Sequence, residues 1–269
     1  MPTGIDWSLG LYTGTSVQSL GGLVVSCSGP EKHASNHFDP HTGSRRADLN
    51  TTRIYWTIGF RLKLQNLSSF ITAHCFKTGE TALSAFNLYV SDGLTKAGWT
   101  NCLVDSCDLS LDQEGYLVAD VVVSSLDSES RDLTVPADTV LPMTKESVTT
   151  FSVGGNSLVS NWTSLKFGIK NNVTQLSAGN SVSMSEQYAR HAEYSLDVQI
   201  LKKAQMQYGT DSTTKTRAVV IGLRNNQASP ATTTFTFSNM DLSSSSISVD
   251  NLNAVYERIA GAANSVVIS

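Results

Sequence analysis

The chain has 269 residues, 40% of them hydrophobic and only 16% charged, with a formal net charge of −4. That is ample apolar material for a core. The balance excludes a basic nucleic-acid-binding arm, since Arg45-Arg46 and Lys202-Lys203 are isolated pairs among scattered cations. No stretch reaches the apolar length of a membrane-spanning helix, and residues 1–20 lack a charged start followed by an apolar run, so the expectation is a soluble protein made in a cytoplasm, with no membrane partner.

The first apolar run, 20–26, predicts a short strand. Residues 29–50 hold two prolines and no apolar periodicity, and predict a long polar loop. The clearest signal follows. Ile54, Trp56, Ile58, Phe60, Leu62 and Leu64 occupy every second position, with Tyr55, Thr57, Gly59, Arg61 and Lys63 between them. Strand side chains alternate between faces, so 54–65 predicts a strand with one buried and one wet side.

Strands are then predicted at 70–76, 85–90, 99–104, 108–111 and 116–123. Asp120 shares one face of the last with Val118 and Val122. Pro136 and Pro142 bracket a connection, and mark the one place where the chain could divide. The remaining strand signals lie at 148–153, 165–169, 182–184, 194–201, 217–223 and 232–237. Two helices are expected. Asp250 can cap a turn in which Leu252, Val255, Tyr256 and Ile259 have helical spacing and Gly261 follows as a stop, and 185–191 gives a shorter one. Ser243–Ser246 reads as a flexible approach to the last helix. No internal repeat of fixed period is visible, although two halves of about 135 residues could each build a jelly roll. The fold expected is mainly β, an antiparallel β-sandwich or jelly-roll-like domain over 1–269 with a short C-terminal helix.

Candidate chemistry is sparse. His33, His37, Asp39 and His41 place three imidazoles and a carboxylate in nine residues of the polar loop, a donor set suited to Zn²⁺ or Cu²⁺. Asp105, Asp108, Asp112 and Glu114 form one acidic patch, and Asp127, Glu129 and Asp132 another; carboxylates from two subunits can share a Ca²⁺. Neither set has the spacing of a standard metal motif. The four cysteines, Cys27, Cys75, Cys102 and Cys107, read as free thiols, with a Cys102–Cys107 bridge as the alternative across a strand–turn–strand segment. No Gly-x-Ser-x-Gly elbow and no phosphate loop occurs, and His74-Cys75 on a strand would point to opposite faces, so an enzyme is not expected. Trp56, Trp99 and Trp162 are the candidates for a sugar-binding platform.

Serine and threonine supply 64 of the 269 residues. Burying a hydroxyl costs far less than burying a charge, so such surfaces suit packing against copies of the same chain. In its hydroxyl-rich alternating strands, low charge and long loops the chain resembles viral capsid proteins of the β-sandwich or jelly-roll kind. The resemblance is compositional, spread over the whole length, and transfers no functional residue. It implies a self-assembling virion protein that meets the genome weakly, with residues 1–16 and 249–269 reaching to neighbours. A phage tail-tube or other ring-forming virion protein is the close alternative, and a carbohydrate-binding β-sandwich the more distant one.

Overall fold

The computed structural model describes residues 7–37, 50–67, 70–76, 83–111, 115–137, 140–176, 186–201, 216–227, 229–249, 255–263 and 265–269. Its first half runs β1 (Ser8–Thr13), β2 (Ser16–Ser19), β3 (Gly22–His37), β4 (Asn50–Leu64), a π-helical turn (Phe70–Cys75), β5 (Phe86–Ser91), β6 (Lys96–Leu111), β7 (Leu117–Ser125) and β8 (Asp127–Ser130). After a 3₁₀ turn (Lys145–Ser147) come β9 (Val148–Val153), β10 (Asn156–Ser157), β11 (Trp162–Lys170), β12 (Val173–Leu176), β13 (Glu186–Ala189), β14 (Glu193–Leu201), β15 (Arg217–Arg224), β16 (Thr232–Val249), β17 (Val255–Ala263) and β18 (Ser265–Ile268).

The fold is a mainly β, sandwich-like packing of antiparallel sheets. One long sheet has the order β3-β4-β7-β6-β11-β14-β17-β16. Two smaller sheets, β2-β1-β5-β6-β8 and β10-β9-β15-β16-β18, grow from it because β6 and β16 each serve two sheets. Residues 96–102 of β6 pair with β5, and residues 103–111 with β7. Residues up to Met240 of β16 pair with β15, and Asp241 onward with β17. At each crossover sits an asparagine with left-handed backbone, Asn101 (φ 51°) and Asn239 (φ 56°). Asparagine tolerates that region far better than most residues.

The alternating strand behaves as its pattern demands. Ile58, Phe60, Leu62 and Leu64 of β4 face a continuous core, while Arg61 and Lys63 face outward. The small sheets and the π turn close over that inner face. Phe167 of β11 meets Phe235 and Phe237 of β16 at centroid distances of 5.3 and 5.9 Å. Phe60 packs at 6.0 Å from Phe70, whose ring meets Phe86 of β5 at 5.5 Å.

The two halves follow one path. The β1–β2 hairpin corresponds to β9–β10, β3 and β4 to β11 and β14, and β5 through β8 to β15 through β18. Between β11 and β14 the second half adds the β12–β13 hairpin, where the first has residues 38–49. In β4, β6, β7 and β8 and their counterparts β14, β16, β17 and β18, corresponding positions are 138 residues apart (199 less 61, 239 less 101, 258 less 120, 266 less 128). Thus Arg61 faces Asp120 where Gln199 faces Arg258, and Trp99 faces Ser128 where Phe237 faces Val266. The stretch holding Pro136 and Pro142 lies between the halves. The repeat escapes a sequence search because what recurs is pairing and burial rather than residue identity.

Several local expectations are corrected. Residues 29–37 of the expected polar loop belong to β3, which pairs with β4 as far as Asn50, and main-chain hydrogen bonds sustain this ladder without apolar alternation; residues 38–49 of the expected loop lie outside the described residues. Residues 70–76 form a π turn and not a strand: Phe70, Ile71, Cys75 and Phe76 are all buried, two adjacent pairs that a two-residue period cannot place on one face. The expected C-terminal helix is the strand β17, flanked by β14 and β16. Val255 and Ile259, four apart, share a face in a strand as readily as in a helix. Gly261 marks close strand approach, since a Cβ there would lie 2.4 Å from Leu242 Cδ2. Ser243–Ser246 belongs to β16, and the expected helix at 185–191 holds β13. The expected strand at 182–184 lies outside the described residues.

Candidate functional site

The long sheet has one face in the core and one open face, and the open face carries a stripe of charge across six strands. Arg61 (β4) pairs with Asp120 (β7) at 3.0 Å, Lys166 (β11) with Asp108 (β6) at 2.8 Å, and Arg258 (β17) donates from Nε to Asp197 (β14) at 2.8 Å. Three cations and three anions therefore balance. Asp120 and Asp108 lie opposite each other in the ladder, and each is compensated by the cation on its other side. Gly168 makes this possible: a Cβ there would lie 2.1 Å from Asp108 Oδ1, blocking the carboxylate's path over β11. The Arg258 guanidinium holds the Asp197 carboxyl below its ordinary range, and Asp197 in turn holds Arg258 up. Beside the stripe, Ser28 Oγ accepts from Gly59 N–H and donates to Gly59 O, both at 3.1 Å.

The second feature is the pair of sheet ends. Among the described residues, β3 pairs with β4 alone, and residues 241–249 of β16 pair with β17 alone. Among the described residues, β3 and residues 244–249 of β16 thus have a paired strand on one side only.

The residues singled out by sequence fall as follows. His33 and His37 lie on β3, opposite Tyr55 and Asn50 in register, rather than in a loop; Asp39 and His41 lie outside the described residues. Among the described residues no group of three or more His, Cys, Asp or Glu is placed to hold a metal ion. The acidic patches are compensated instead. Asp105 accepts the Val173 N–H at 2.8 Å and Asp108 pairs with Lys166, while Asp112 and Glu114 lie outside the described residues. Glu129 accepts from Tyr12 Oη at 2.6 Å and pairs with Arg131 at 2.9 Å, which lowers its carboxyl; Asp132 pairs with Lys96 at 2.6 Å.

Cys102 and Cys107 lie on one continuous strand, β6, with no turn between them, and all four cysteines are free. Burial pushes the Cys102 thiol up to about 12, and burial beside Cys107 pushes the Cys75 thiol well up. His74 is in the π turn and not on a strand, with Nδ1 2.9 Å from Ser84 O. The tryptophan platform loses its members, because Trp99 and Trp162 are each only 3% exposed, and Trp56 is half-buried edge-on against Trp99 at 4.9 Å.

A cleft of about 630 Å³ lies beside the 3₁₀ turn, and the charged residues in its lining are Glu146 and Arg224. A second, about 330 Å³, is lined by Tyr12, His74, Asn87 and Asn101. Neither lining contains a cysteine or a carboxylate–histidine pair.

Asp120 could have been noticed in sequence, since it interrupts an otherwise apolar strand, and Arg61 lies on the wet side of β4; their meeting depends on register, which no local signal supplies. No family model matches the chain, and no curated protein matches it.

Proposed function

We propose that this chain is a structural protein of a virus particle that assembles with copies of itself, and that the assembly is a ring, or a stack of rings forming a tube. The observation that carries the reading is the long sheet: two like halves joined strand to strand through β6 and β11, with an edge at each end that pairs on one side only among the described residues. A unit that already joins its own halves in this way can add further units in the same direction. Identical contacts repeated head to tail close into rings or run on as filaments.

The hydroxyl-rich, weakly charged composition supports self-packing, and the compositional likeness to capsid proteins supports the virion setting. The ring or tail-tube form is preferred over the closed shell because the open ends favour growth along one line, whereas a shell needs contacts in at least two directions. Contact with a genome would be weak on this reading. The stripe is balanced, and phosphate binding draws on uncompensated Lys and Arg.

The test is negative-stain imaging with sedimentation analysis of the purified chain at high concentration. Rings or tubes are expected. Closed shells would return the function to a capsid, and a chain that stays monomeric would overturn self-assembly altogether.

A further inference from the structure

We propose that copies join by antiparallel pairing of the outer half of β16 in one chain with β3 of the next, in the register that β6 and β11 use within the chain. The inference rests on the self-assembly reading above and specifies its interface.

In the long sheet the first half contributes β3-β4-β7-β6 and the second β11-β14-β17-β16. By position in the repeat, β16 is the counterpart of β6, and β3 the counterpart of β11. The β6–β11 contact is therefore the repeat's own tail-to-head junction, already made once inside every chain. The ends that pair on one side only among the described residues, β3 and residues 244–249 of β16, are the other two halves of that same junction. Placing β16 against β3 of a second copy continues the sheet, keeps neighbours antiparallel, and leaves the same edges open until the assembly closes.

The register follows from pairings. Asp108 of β6 faces Gly168 of β11, and Gly168 faces Ser195 of β14. Stepping Asp108 forward by 138 residues (to 246) reaches Ser246 of β16, which faces Arg258 as Asp108 faces Asp120. Stepping Ser195 back by the same amount (to 57) reaches Thr57 of β4, which faces Glu31 of β3. Glu31 of one chain should therefore lie opposite Ser246 of the next.

The chemistry of the edges agrees. Residues 243–248 of β16 are serines except for Ile247, so the strand can be covered by a neighbour without burying a charge of its own. On β3, proline is tolerated at position 30 because it is an edge strand, and with exposed Glu31 and Lys32 it discourages indiscriminate strand addition. The contact is heterologous, since two different edges meet. Each chain supplies two repeats, so a closed ring holds twice as many repeats as chains, with junctions within chains and junctions between chains alternating.

Cysteine cross-linking tests this. In a Cys27→Ala background, the double variant Glu31→Cys with Ser246→Cys is assembled and mildly oxidised. A non-reducing gel should show a ladder running beyond dimer. Each single variant should give no ladder, and an equimolar mixture of the two single variants should give dimer alone. Pairing Glu31→Cys with Ser244→Cys or Ser248→Cys should cross-link several-fold less, which reads the register. Assemblies visible by microscopy without a ladder from any pair would overturn the junction while leaving self-assembly standing. Dimers from a single variant would overturn it in favour of a two-fold contact. Absence of any assembly by the unsubstituted chain would remove the self-assembly reading and this junction with it.

Discussion

Phe167 has no exposed surface and is ringed by Phe76, Phe235 and Phe237, so it ties the long sheet to the roof of the second half. Phe167→Ala should destabilise the fold by about 3–5 kcal/mol, the range for large buried aromatics. Trp56 is the instructive contrast. Its place in the alternating run suggests equal burial, yet it is half-exposed near the end of the core. Trp56→Ala should cost about 1–3 kcal/mol, less than a fully buried aromatic. Urea unfolding of both variants checks the order, and equal losses would refute it. Asp197 makes a pH prediction. Its folded carboxyl is held low by Arg258, so the stabilisation is complete above the unfolded carboxylate value of about 3.9 and is lost as pH falls through the lower folded value. Arg258→Ala should therefore lower stability modestly at neutrality, since exposed pairs contribute little and salt screens them, and the difference from the parent should vanish as pH falls below about 4, which flattens the acid limb of a thermal-stability profile.

At the scale of elements, the two crossover strands set the architecture. β6 and β16 leave one sheet for another at a left-handed asparagine, and the backbone there is what turns the strand. Asn101→Ala should cost about 1–2 kcal/mol through the left-handed backbone, whereas Asn101→Gly should be near neutral, because glycine enters that region freely. A pair of denaturation curves distinguishes this from a side-chain effect, which both substitutions would share. These elements also show what a linear reading can reach. β4 was legible because its alternation is complete and its partners lie on both sides. β17 was not: Val255, Tyr256 and Ile259 satisfy helical spacing, and only the presence of β14 and β16 beside them selects a strand. The π turn was missed for a related reason, since six residues carrying Phe70, Ile71 and Cys75 read as a strand until adjacent residues prove to be buried together. The charge stripe and the open edges are products of register and topology, and no local pattern of residues encodes either.

At the scale of the molecule, the duplication changes what the C-terminal segment does. Read as a helix after a flexible tract, residues 249–269 would be an arm whose loss spares the fold and harms assembly. In the structure β17 fills the gap between β14 and β16 in the long sheet, and β18 completes a smaller sheet against Phe235 and Phe237. Ile259, Ala263 and Val266 belong to the continuous core. A chain ending at 248 would leave β14 and the outer half of β16 without the strand they share, and would open the core beneath them. Such a truncation should abolish cooperative unfolding, followed by circular dichroism in urea, rather than yield a folded protein that fails to assemble. By contrast, the single variants Glu31→Cys and Ser246→Cys alter edge positions and should keep the parent transition midpoint. If the truncated chain unfolded cooperatively with the parent midpoint, β17 and β18 would be appendages, and the equivalence of the two halves on which the inter-chain junction depends would fail with them.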